Sequence, residues 1–148
     1  MVRKAIVASM AVWLSLGAAT LGHHSVTVNF DNSKAMNLTG RIKELDIRNP
    51  HSRITLEVKQ PDGTLKEWLI EWSDRNSLIR RKVDIERIKE GDELTITAWP
   101  SRRLEHVAYF VRAVLPDGST FRDCGFGEFR EAVAQSREYS CPDAQGEP

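Results

Sequence analysis

Cysteine is nearly missing from this chain: two in 148 residues, Cys124 and Cys141. They form no C-x-x-C pair, which removes the spacing of dithiol redox catalysts and of most structural zinc sites. Histidine numbers only four, and no two stand in H-x-x-x-H or H-E-x-x-H, the helical spacings that aim two imidazoles at one metal. There is no G-x-S-x-G elbow and no glycine-rich phosphate loop, and no carboxylate pair has a spacing that marks an acid and a base. Net charge is lacking too, since Lys plus Arg and Asp plus Glu both number 21. A neutral chain has no overall drive toward polyanions, so nucleic acid is not an expected partner. No motif names a reaction, and the expected class is a binding module; a metal-assisted enzyme is the further alternative, and it depends on a metal site being present.

Long apolar runs are absent after the first 22 residues. Ala5 to Gly22 carries no charge and follows Arg3 and Lys4. A basic start, an apolar stretch and a small-residue exit make a secretory signal peptide. A retained anchor is the alternative, but this segment is rich in Ala, Ser and Gly and falls short of the about 20 predominantly apolar residues that a bilayer span needs. Small residues permit cleavage after Ala19 or after Gly22. Removal of residues 1–22 takes away Arg3 and Lys4, leaving a mature charge of −2 and no membrane span. The expected address is the periplasm or the medium, where a Cys124–Cys141 disulfide persists and would stabilise the fold by about 3 kcal/mol. A free thiol or a metal ligand is the other use of these cysteines. The expected organisation is a signal peptide over 1–22, a domain over 23–121, and an extension over 122–148.

The mature sequence is made of short alternating segments. "NLTGRIKELDI" (Asn37–Ile47) sets Leu38, Gly40 and Ile42 on one face, then shifts phase to Leu45 and Ile47, as a β-bulge or a sharp bend does. "RITLEVK" (Arg53–Lys59) alternates cleanly, and after the turn "QPDGT" so does "LKEWLIEW" (Leu65–Trp72), predicting a hairpin. Ser73 and Asp74 are N-cap residues for one short helix of about two turns. An irregular stretch anchored by Val83, Ile85 and Ile88 then runs to Gly91. "ELTITAW" (Glu93–Trp99) and "HVAYFVRAVL" (His106–Leu115) restore strand character, the latter apolar on both faces like a central strand.

Five strands with a helix between the third and fourth is the connectivity of a mainly β, OB-like Greek-key barrel; another small β-sandwich is the alternative. The bend in the first strand fits, because a small closed barrel needs a strand that joins both sheet halves. A short C-terminal helix is expected around Phe126–Val133.

Four side-chain groups are candidates for binding. If cleavage falls after Gly22, the α-amine and imidazole of His23 can chelate one ion, with His24, His51 or His106 adding nitrogen; such donors suit copper or zinc. The loop after strand one and the loop before strand five frame one surface in many OB barrels, which would bring His51 and His106 together. The plainer reading makes "NPHS" (Asn49–Ser52) a turn and the paired histidines a polar boundary. Trp68 and Trp72 alternate with Ile70 and read as core, leaving Trp99 as the exposed platform for a small ligand. "IRRK" (Ile79–Lys82) offers its cations to an anion, and "SRRLE" (Ser101–Glu105) offers Arg102 and Arg103 to an anion or an envelope protein, but acidic neighbours make solvated surface the simpler account of both.

The elements "HHS" (His23–Ser25), "FD" (Phe30–Asp31), "LTGRI" (Leu38–Ile42), "NPHS", "EW" (Glu71–Trp72), "NSLIRR" (Asn76–Arg81), "GD" (Gly91–Asp92) and "PDG" (Pro116–Gly118), in that order, resemble the small exported bacterial proteins of the DUF6152 family, whose function is unknown. The resemblance spans about residues 23–120. It implies export and a compact β fold, and it draws attention to His23, His24 and His51. Val26 departs from the Phe usual after "HHS", Ser101–Glu105 lacks a Gly turn, and the cysteine-bearing tail is an extension.

Overall fold

The structure is a computed structural model that describes residues 26–122. His23, His24, both cysteines and the expected C-terminal helix lie outside the described residues. The elements are α1 (Val26–Asn29), β1 (Met36–Asp46), β2 (Ser52–Lys59), β3 (Leu65–Trp72), α2 (Arg75–Arg80), a 3-10 turn (Ile85–Arg87), β4 (Glu93–Pro100), β5 (Val107–Val114) and β6 (Thr120–Arg122). Among the described residues no helix is long and apolar enough to cross a membrane.

The sheet runs β3-β2-β1-β4-β5-β6, and a further parallel pairing of β3 with β5 closes the first five strands into a barrel. This is the OB-type order, with α2 between β3 and β4 as expected. β1 makes closure possible. Its first half, Met36–Arg41, pairs with β4, and its second half, Arg41–Asp46, pairs with β2, with a register shift between Ile42 and Glu44. The phase shift in the sequence is this bulge. Gly40 stands at the bend because Glu57 of β2 crosses it closely.

Alternation then builds the core. Ile54 and Leu56 from β2, Ile70 and Trp72 from β3, and Ile96 and Ala98 from β4 are fully enclosed. The Trp72 ring lies 4.8 Å from Phe110 and 5.6 Å from Phe121. Phe121 belongs to β6, a sixth strand that the sequence reading did not anticipate and that pairs with the end of β5.

Asp74 caps α2, accepting from the Ser77 backbone N–H at 2.9 Å. Leu78, Val83 and Ile88 join the barrel core, so the irregular stretch is anchored as its apolar spacing suggested. Gly91 turns the chain at φ 91°, a left-handed conformation open to glycine, directly ahead of β4.

Candidate functional site

Residues that alternate outward from the barrel form a row across three strands. Trp99 of β4 pairs with Tyr109 of β5, and Tyr109 pairs with Glu71 of β3. Their neighbours Ala98, Phe110 and Trp72 turn inward, so the row is fixed by the same alternation that fills the core. Trp99 and Tyr109 stack with ring centroids 6.1 Å apart and planes 18° from parallel, and buried Phe30 packs on Tyr109 at 5.5 Å.

Two walls rise beside this row. The first is α1. Arg102 clamps it, donating its backbone N–H to the Asn29 carbonyl at 2.8 Å and its Nε to the Thr27 carbonyl at 3.2 Å, while its guanidinium pairs with Asp31 at 3.3 Å. The second wall is the loop after β1, fastened to α2: the Arg75 N–H donates to the Arg48 carbonyl at 3.1 Å, and the Asn76 N–H to the Asn49 side chain at 3.3 Å. Between them lies a pocket of about 700 Å³, reached by Val26, His51, Glu71, Asp74, Trp99 and Tyr109. That volume is in the range of small-ligand sites.

The charges of the pocket are unevenly committed. Burial raises the Asp74 carboxyl pKa, but the Ser77 hydrogen bonds and the Arg80 charge outweigh it and hold the group below the usual carboxylate range. Arg81 is 3% exposed, and its Nε donates to the Ser77 carbonyl at 3.1 Å. The half-buried side chains of His51 and Glu71, in contrast, have no hydrogen-bond or ion-pair partner among the described residues.

The structure thus brings His51 and Trp99 to one pocket and leaves the other described candidates elsewhere. His106 precedes β5 with a left-handed φ of 57° and meets Trp68 edge-on at 5.1 Å. By register it stands beside Trp68 whereas His51 stands beside Ser73, five residues further along β3 and on its other side, a separation of more than about 16 Å at about 3.3 Å per residue. The loops after β1 and before β5 do not join these two imidazoles. Arg102 is occupied with α1, and Arg103 faces solvent. The reading of "IRRK" as solvated surface holds for Arg80 and Lys82 but not for Arg81, which a helical turn aims inward. Sequence reasoning passed over Glu71 and Tyr109 as site residues. The signal for both was present: each is an outward position flanked by inward apolar ones.

Among the described residues, no three of His, Cys, Asp and Glu gather closely enough to hold a metal ion by themselves. Comparison with curated proteins gives no match. Among solved structures, the mitochondrial single-stranded DNA binding protein Rim1 of S. cerevisiae is similar at 17% identity and a TM-score of 0.43, over 56% of this chain and 93% of that one. Residues 11–108 match the family of unknown function DUF6152, and the chain belongs to that family.

Proposed function

We propose that this is an exported binding module whose site is the pocket between α1 and the β4–β5–β3 face, and that it captures Cu²⁺ or Zn²⁺ there through His51 and the pair His23–His24. One observation carries the reading: Val26 and His51 line the same pocket. His24 and His23 precede Val26 by two and three residues in sequence, a chain reach of at most about 7 and about 11 Å. The sequence elements typical of the family converge on it as well, through Phe30, His51, Glu71, Ser77 and Arg81. Cleavage after Gly22 adds the α-amine of His23, whose ordinary pKa of about 8 leaves it a competent ligand at neutral pH. His106, held at Trp68, stands outside this reading.

The test is calorimetric titration of the exported, untagged chain with Cu²⁺ and Zn²⁺. The expected result is one equivalent bound by the parent and none by His51→Ala or by a His23→Ala/His24→Ala double variant. Binding that survives both changes removes the assignment. The stacked Trp99–Tyr109 pair favours a second reading, a metal-free site for a small planar ligand. That reading requires Trp99→Ala to abolish ligand capture while the histidine variants retain it.

A further inference from the structure

We infer that Glu71 is a ligand of this site, so that the metal is held by a mixed carboxylate–imidazole set rather than by imidazoles alone; the inference rests on the metal-capture reading. The argument begins with what surrounds Glu71. It projects from the outer side of β3 into the pocket, half-buried beside Tyr109. Arg53, directly opposite on β2, is exposed and forms no ion pair with it. With no partner in the protein among the described residues, its carboxylate oxygens are open to a cation entering the pocket. Asp74 cannot serve equally, because its oxygen already caps α2.

Register supplies the geometry. Ser52 pairs with Trp72 and Arg53 with Glu71, so His51 is the diagonal neighbour of Glu71 along the β2–β3 edge. Diagonal neighbours on one face lie roughly 7–8 Å apart, a span that an imidazole and a glutamate can close around one ion at bond lengths of about 2.0–2.2 Å. Two such donors leave coordination positions for water. The donor set also selects the ion. Carboxylate oxygen with imidazole nitrogen suits divalent copper or zinc.

The experiment compares the exported full chain with its Glu71→Gln and His51→Ala variants by competition titration with Zn²⁺ and Cu²⁺, and by electron paramagnetic resonance of the Cu²⁺ forms. Glu71→Gln keeps the shape of the side chain and is expected to weaken binding by at least about tenfold, a loss usual even for an outer partner of a ligand. Its copper spectrum is expected to differ from that of the parent. Parental affinity and an unchanged spectrum in Glu71→Gln, with His51→Ala unable to bind, overturn the Glu71 assignment and leave the histidine site standing. A parent that binds neither ion overturns both. Should Glu71→Gln fail to fold, infrared difference spectra of the parent decide: a carboxylate band shifted by metal supports the assignment, and no shift overturns it.

Discussion

A Cβ added at Gly40 would lie 2.3 Å from the carbonyl oxygen of Glu57. That contact is backbone on backbone, so no side-chain rotation relieves it. Gly40 sits where β1 passes from pairing with β4 to pairing with β2, the position that lets five strands close. Gly40→Ala must therefore push β1 and β2 apart. The expected cost is about 3 kcal/mol, at the upper end for overpacking, and a fall in melting temperature of roughly 12–24 °C for a domain of this size. A calorimetric melt within 2–3 °C of the parent would show that the barrel closes without this close approach.

Much of this was legible in the sequence because barrels are written in alternation. The β2–β3 hairpin, the inward Trp72, the bulge in β1 and the Asp74 cap each follow from local spacing. What was not legible depends on distant contacts. The three-residue β6 is too short to have a period of its own and exists because β5 offers it an edge. Arg102 reads as a solvated charge in the sequence, but in the fold it bonds α1, which packs beside the β4–β5 connection where Phe30 bridges Ser101. Glu71 and His51 come to line one pocket through strand register, which a linear reading cannot supply.

Arg102 and Arg103 are neighbours with opposite fates, which makes them a matched pair. Arg102→Ala removes the Nε bond to the Thr27 carbonyl and the ion pair to Asp31, both of which hold α1 against the pocket. The amide of Phe30, bonded to the Val26 carbonyl, should then exchange with solvent measurably faster. Arg103→Ala should leave that exchange and the stability unchanged within about 0.5 kcal/mol, as is usual for an exposed surface residue. Equal exchange in the two variants would mean that α1 is held by something other than this clamp.

Acid should loosen the same region. Asp31 is held below the ordinary carboxyl range first by the Ser33 hydroxyl; burial opposes this, and the Ser33 N–H, Arg102 and Lys34 reinforce it. Asp74 is lowered as well, with burial opposing and Ser77 and Arg80 prevailing. A carboxyl whose folded pKa lies below its unfolded value of about 3.9 contributes stability fully above that pH and loses it as pH falls through the folded pKa. Stability measured by urea unfolding should therefore hold from pH 7 to about 5 on this account and decline below about 4. Asp74→Asn should flatten the decline. A chain whose stability is level from pH 5 to pH 2 would contradict both assignments.

Each described tryptophan reports a different part of the molecule, so fluorescence can locate the ligand. Trp72 is enclosed in the core at 0% exposure, Trp68 touches His106, and Trp99 forms the pocket wall with Tyr109. Bound Cu²⁺ quenches nearby indoles, and Trp99 is the indole that shares the pocket with His51. Stoichiometric Cu²⁺ should therefore quench the parent, and Trp99→Phe should lose most of that response while binding the ion with affinity within about threefold, since the indole is not among the nitrogen and oxygen donors that hold it. If the quenching persists in Trp99→Phe and disappears in Trp68→Phe, the copper sits beside His106. The pocket at His51 and Glu71 would then have to be assigned to another ligand.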